Sequence, residues 1–463
     1  MAGPTTGMRQ PAMALSQEGL TSLNTDGRVL PRLAEKWTWQ EEPPSLVVTL
    51  RSGVTFHDGT PATADLVAKI FADAIKRPGN VAQYPALADV TAVIPRGASD
   101  IVLRVSRRSA FLPEDLEVPI SLPNNIGTGA FRIVRNESSE IVLERHDRYY
   151  EGTPAIRSVV IRPFQTLRTA WTSLLRGEID MVTNVPPEAI EFVSNEDVQV
   201  VRYARRFQFL IAFNSRRPPF TVPLVRRALN LAIDRQAIVA SVLDNHAAAA
   251  TGPLWPQHWA YDKSVTPYSF NPALAISTLE QAGLKLRSTP KNTGLNSRLT
   301  FTCLIPANFT LLERLALELQ KQLYNVGVDM QFEVVPAAAY GQRLESGEFD
   351  AALIDMNSGP TLGRPYVFWR SAKQFRGLNY FGYENDEAER LFEVIRDSTN
   401  EAVVRSATSR LQQVLLEDPP AIFVAWNEGA RAVRKDFQVV QEPGRDPLFS
   451  IGRWTGRQPV ASR

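Results

Sequence analysis

The chain of 463 residues holds four histidines and one cysteine. Nucleophilic catalysis and zinc ligation both draw on these side chains, so they are questioned first. His57 stands beside Asp58 in "TFHDGTPATADLVAKIF", residues 55–71. A His–Asp neighbour pair makes neither a triad nor a metal set without a third group at ligand spacing. None follows, because His146, His246 and His258 lie far off along the chain. "LERHDRYY" around His146 alternates like a strand, and "QHW" around His258 sits among turn residues. Cys303 falls within "LTFTCLIP", an apolar run that points to a buried, inert thiol. No catalytic residue, metal ligand or cofactor is expected, and a hydrolase or metalloenzyme is the weaker alternative.

His57–Asp58 reads instead as a connection. Upstream, Leu46–Leu50 is β-branched and apolar, and Ser52–Gly53 and Asp58–Gly59 are turn dipeptides. Thr63 is placed to cap a helix whose first turn carries Asp65, and Leu66, Val67, Ile70, Phe71 and Ala74 recur at helical spacing.

The formal charge is +2 and 44% of residues are hydrophobic. This is a globular composition, long enough for two or three domains of ~100–200 residues. So balanced a charge gives no argument for nucleic acid. No run approaches the ~20 apolar residues of a membrane span, and the first twenty residues contain no apolar signal core.

Residues 298–355 alternate strand and helix. "RLTFTCLIP" is a buried strand, and Leu312, Leu315, Leu319 and Leu323 line one face of a helix that Gly327 ends. Val328, Met330, Phe332 and Val334 then alternate with polar residues at period two. "AAYGQRLESG" and "FDAALID" add a helix and a strand. The succession predicts a mostly parallel, doubly wound sheet. Residues 158–203 repeat the grammar, beginning with the strand "SVVIRPF", and Gly177 and Gly347 both suit the left-handed turn after a helix. A helix from Pro223 should bury Leu224, Ala228, Leu231 and Ala232. Residues 38–155 are richer in short strands and turns.

Four stretches carry a family resemblance: "GLTSLNTDGRVLPRLAEKWT", "VTLRSGVTFHDGTPATADLV", "GTGAFRIVR…IVLERHDRYYEGTPAIRSVVIR" and "FNSRRPPFTVPLVRRALNLAIDRQAIV". In this order they resemble the extracytoplasmic solute-binding proteins of ABC transporters, of the peptide and nickel type (family 5, cluster C). The resemblance implies an α/β, two-lobed periplasmic-binding-protein fold with an extra β-rich domain. Residues 1–37, 156–212 and 429–463 would form lobe I, 38–155 the β-rich domain and 213–428 lobe II. Crossings between lobes would fall near 211–214 and 423–428. The segment containing His57 would have no chemical role.

Functionally, the resemblance implies a periplasmic or extracytoplasmic monomer. It would close over a small-molecule or short-peptide ligand and deliver it to a membrane permease. A sensory module keeping the fold is the alternative. The family's usual first strand and leader would lie upstream of Met1. Ligands of such sheets bind at strand C-termini, which selects Asn308, Phe309, Asp355, Met356 and Asn357. Trp369, Arg370, Asn379, Tyr380 and Trp426 follow in segments that line the family's cleft. Peptide-binding members place an aspartate for the ligand's ammonium near the position of Gly359. With glycine there, peptides with free amino termini are expected to bind weakly unless Asp355, four residues earlier, takes over.

Overall fold

The computed structural model describes residues 4–77, 79–194, 197–286, 297–371 and 378–456. Contacts divide the chain into two compact units, Met1–Ala204 with Gly429–Arg463, and Arg205–Glu428. The chain thus passes between units twice, each time inside a long strand.

The first unit opens with helix α1, Pro4–Ser16, whose Met8, Ala12 and Leu15 are buried at helical spacing. A four-stranded antiparallel sheet follows: β1 (Ala34–Gln40), β2 (Ser45–Leu50), β3 (Val90–Arg96) and β4 (Asp100–Val105), in the order β1-β2-β4-β3. Between β2 and β3 runs helix α2, Ala64–Lys76, capped by Thr63, whose side chain accepts from the Leu66 N–H. A second antiparallel sheet joins β5 (Phe131–Asn136), β6 (Ile141–Arg145) and β7 (Ser158–Ile161). Its Phe131, Ile141 and Leu143 pack in one cluster with the buried face of α1.

Here one sequence expectation is corrected. "SVVI" does not open a parallel layer; β7 pairs antiparallel with β6, Val159 opposite Leu143. Helix α3 (Leu167–Leu175) does follow, and Gly177 takes φ +71 after it. The next strand, β8, is only Met181–Val182.

Strand β9, Val198–Phe213, carries the chain into the second unit. The switch at Ala204–Arg205 precedes the expected 211–214. Helix α4, Pro223–Leu231, buries Ala228 and Leu231, but Leu224 is 40% exposed. Arg226 and Asn230 are buried in its place. Each has partners: Arg226 Nε donates to the Pro419 carbonyl at 2.9 Å and its guanidinium pairs with Asp418, while Asn230 donates to the Ala421 carbonyl at 3.0 Å. Hydrogen-bonding capacity, invisible to a hydropathy pattern, decides the face.

Strand β10 (Ala247–Ala249) precedes the βαβαβ run: β11 (Leu299–Pro306), α5 (Thr310–Tyr324), β12 (Val328–Val335), α6 (Ala337–Ser346) and β13 (Ala351–Asn357). β11 is parallel to both β12 and β13, but β13 is antiparallel to β9, so the sheet is mixed. Leu312, Leu315, Leu319 and Leu323 are all buried against it. In β12 the period holds for Val328 and Met330, then slips: Val334 is exposed and Val335 buried. Gly347 takes φ +73 at the end of α6, as its position after a helix requires. The second passage is β14, Ala421–Arg434, which pairs with β10 in the second unit and with β8 in the first.

Candidate functional site

The His57–Asp58 pair is fully engaged by backbone. Gly127 N–H donates to His57 Nδ1 at 3.3 Å, which leaves the proton on Nε2 to bond the Gly129 carbonyl at 2.9 Å. Burial pushes the imidazole down to about 4, so it is neutral at ordinary pH. Its ring meets His146 edge-on, centroids 5.1 Å apart. Asp58 accepts from the Thr60 N–H and closes the turn. Nearby, Glu18 is buried among donors: Arg32 at 2.7 Å, Tyr149 at 2.8 Å, Thr128 at 2.9 Å and Tyr150 at 3.2 Å. These groups tie the segment after α1 to the β-rich part of the first unit. Among the described residues no three His, Cys, Asp or Glu side chains gather as a metal set. Cys303 is fully buried, its thiol pushed up to about 12 by desolvation.

Buried side-chain atoms without a partner occur in both units, and three of them, on Gln208, Asp355 and Asn357, lie where β9 and β13 run side by side. Their register sets Ala351 against Phe213, Leu353 against Ile211, Asp355 against Phe209 and Asn357 against Phe207. Opposed residues share a face of the sheet. One face of β13 therefore changes from core alanine and leucine to a carboxylate and then an amide. Burial raises the Asp355 carboxyl above its usual range, while Arg205 and the Asn427 side chain pull it back. Oδ1 of Asp355 and Oδ1 of Asn357 are both shielded from solvent and have no hydrogen-bond partner. Arg205, two residues before Phe207 on the same face, sets its guanidinium over that ring, 4.9 Å from the centroid. On the other face Gln208 is buried, its amide donating to the Gly252 carbonyl at 2.8 Å and its Oε1 unpartnered.

The structure separates the candidates read from sequence. Asp355, Met356 and Asn357 end β13, with Met356 buried on the Gln208 side. Asn308 and Phe309 follow β11, both exposed, Asn308 at φ +68. Trp426 is buried edge-to-face against Trp255 with centroids 4.7 Å apart. A cavity of about 50 Å³ lies beside Trp426, lined also by Tyr261 and Gln412.

Trp369, Arg370 and Asn379 form a different, interior group. Trp369 stacks on Phe381 and abuts Phe423. Arg370 pairs with Glu389 at 2.9 Å and Glu393 at 3.2 Å. Asn379 donates to the Arg370 and Tyr383 carbonyls. The charge of Arg370 thus finds its compensation inside the unit. Tyr380 is half-buried, its carbonyl accepting from Arg216. Sequence reading passed over Arg205, Gln208 and Trp255. The alternation in "RRFQFLIAF" signals the face that Arg205 occupies, but nothing local marks Trp255. Gly359 proves to be filled in: a Cβ there would lie 3.1 Å from the Trp255 ring and 3.4 Å from that of Trp426. Two indoles occupy the space in which a carboxylate at this position would have to fit.

Comparison with known proteins agrees with this fold. Residues 28–376 match the model of the bacterial extracellular solute-binding proteins, family 5 Middle. The chain is 24% identical over 440 residues to the oligopeptide-binding protein AppA of Bacillus subtilis (strain 168), covering 88% of this chain and 80% of that protein. It is 30% identical over 286 residues to the glutathione-binding protein GsiB of Salmonella typhi, covering 58% of this chain and 55% of that one. Among solved structures, NikA from Brucella suis in complex with Fe(III)-EDTA matches with a TM-score of 0.84 at 18% identity, over 96% of this chain and 95% of that chain. The structure of AppA from Bacillus subtilis in complex with a nonapeptide gives 0.78 at 22%, over 97% and 94%. These likenesses show a mixed α/β, two-lobed periplasmic-binding-protein fold. The family match covers most of the sequence, and the chain belongs to the bacterial extracellular solute-binding proteins of family 5.

Proposed function

We propose that this protein is the receptor component of an ABC import system, holding a small polar or peptide-like solute outside the cytoplasm and passing it to a membrane permease. It works as a monomer and leaves its solute chemically unchanged. Among the described residues no helix is long and apolar enough to cross a membrane, and in this reading the permease provides the channel. Relatives carry the names oligopeptide-binding and glutathione-binding protein, which supports a peptide-like solute.

The observation that carries the reading is the end of β13. Asp355 and Asn357 keep shielded, unpartnered acceptors where ligands of α/β sheets bind. With Arg205 and Asn427 they form the polar set of the site, and Asn308 and Phe309 stand exposed after the neighbouring parallel strand. Met356, Trp369, Arg370, Asn379, Tyr380 and Trp426 shape the unit by packing. A thermal-shift screen of peptides, metal chelates, sugars and opines tests the reading, since a solute at ~100 times its Kd adds ~2.7 kcal/mol of stability. The expected result is a solute that raises the melting midpoint and whose uptake is lost when the gene is deleted. Chemical turnover of that solute by the purified protein would overturn the proposal.

A further inference from the structure

We propose, resting on the receptor reading above, that the outer side of α4 and of the helix Pro272–Gln281 is the surface on which the membrane permease docks, and that the permease meets it with apolar side chains set around a carboxylate. The two helices pack against each other in the second unit. Ala228 and Leu229 of one, and Ala275 and Leu279 of the other, belong to the same buried cluster over the central sheet. The Asn271 N–H donates to the Leu231 carbonyl at 2.9 Å, joining the start of the second helix to the end of the first. With their inner sides spent on one core, their outer sides face solvent together. A surface helix ordinarily carries polar residues there. Here Val222, Leu224, Phe270 and Leu274 are 38–49% exposed.

One cation lies among them. Arg227 is exposed, one turn after Leu224 and one turn before Leu231. Its chain neighbours Arg217 and Arg226 pair with Asp350 and Asp418, whereas Arg227 forms no ion pair within 4 Å among the described residues. Arg216, in the turn that leads to α4, donates to the Tyr380 carbonyl and likewise has no acid within 4 Å among the described residues. Residues 215–231 and 263–279 contain no Asp or Glu, in a chain that has 49. Glu280, at the far end of the second helix, is engaged by Arg298 at 2.8 Å. The patch is therefore apolar, positively charged and without an acid of its own.

Arginine among aromatic and aliphatic side chains is the composition of interface cores, where lysine and acids are depleted. The complementary group is a carboxylate, which the guanidinium fork holds with two N–H groups. A permease suits this surface on the side a receptor reaches. Its Lys and Arg concentrate in cytoplasmic loops, so its outer loops are poor in cations that would repel Arg227. A bare lipid surface suits it less, because the strongly anionic leaflet faces the cytoplasm.

Full-length protein is titrated onto right-side-out membrane vesicles of its native cells and measured after sedimentation. Liposomes of the lipids extracted from those cells, and vesicles stripped of outer protein by protease, are run beside them. Wild type should bind the intact vesicles saturably and neither of the other two. Arg227→Glu and Leu274→Asp should each lose roughly 10-fold or more in affinity. Both positions are exposed, so both variants should keep the wild-type melting midpoint and bind a solute from the screen as wild type does. A variant that melts lower is replaced by Arg227→Gln, for which a several-fold loss is expected. Variant affinities equal to wild type, equal binding to liposomes, or no saturable binding of wild type each overturn the proposal. Uptake separates it from the receptor reading. If gene deletion abolishes uptake of a screened solute and the Arg227→Glu gene restores it fully, the receptor reading stands and this docking surface falls. If neither variant restores uptake while both bind solute normally, the docking surface is upheld. Uptake untouched by deletion overturns the receptor reading itself.

Discussion

Arg370 and Glu389 form an ion pair buried on both sides, Nη2 to Oε1 at 2.9 Å, with Glu389 Oε2 also accepting from the Ser371 N–H. Removing the cation leaves a carboxylate stranded in the interior. Arg370→Met should therefore cost ~3–5 kcal/mol in urea unfolding, while the molecules that remain folded bind solute with wild-type affinity in calorimetry. A variant that melts normally but loses binding would return Arg370 to the ligand site.

Stability should depend on His57 in a defined pH window. Its folded pKa of about 4 lies below the unfolded value of 6.5, because burial disfavours the charged ring. The folded state thus binds fewer protons between these limits. The contribution is complete above about pH 6.5 and is lost as pH falls toward 4. His146, also depressed by burial, acts in the same direction. His57→Ala should lower stability near pH 7.5 by ~1 kcal/mol, for its lost hydrogen bonds, and flatten the decline between pH 6.5 and 4. Parallel curves for both proteins from chemical denaturation would contradict the neutral, backbone-bound imidazole.

Gly127 is where the β-rich part of the first unit meets α1. A Cβ there would fall 2.0 Å from the Ser16 carbonyl oxygen, a backbone atom that no rotamer change can move. Gly127→Ala should destabilise by ~3 kcal/mol or more, the high end for overpacking. Native-state hydrogen exchange should place the damage in residues 4–16 and 127–146 and spare the second unit.

Restoring an acid at position 359 should fail to create an amine site. Gly359→Asp sets its Cβ against two indoles and its charge in their shelter. A loss of ~2 kcal/mol or more is expected, with no gain in affinity for trialanine. Improved affinity would mean that the Trp255–Trp426 pair yields easily.

The sequence displays its helices and its central βαβαβ run because leucines at 312, 315, 319 and 323 meet only one environment. It hides the faces on which polar groups are satisfied at long range. Arg226 and Asn230 are buried through Asp418 and the carbonyls of residues 419 and 421, almost two hundred residues away. The direction of "SVVI" depended on its partner β6, and the same four residues would serve a parallel neighbour equally well. Of the candidate site, Asp355 and Asn357 were legible because they end a strand where sheet ligands are expected. That Arg205 lies on their face, and that Arg370 pairs with Glu389 and Glu393, follows from strand register and from glutamates on another helix.

The sealed position of Cys303 makes this molecule convenient to instrument. A thiol with no solvent access and little thiolate is silent toward maleimides while the fold holds. Cysteines introduced at exposed Ser138 and Glu345, one in each unit, would be the only sites to take dyes. Energy transfer between the two labels can then be followed with and without solute, on a protein whose native cysteine need not be removed.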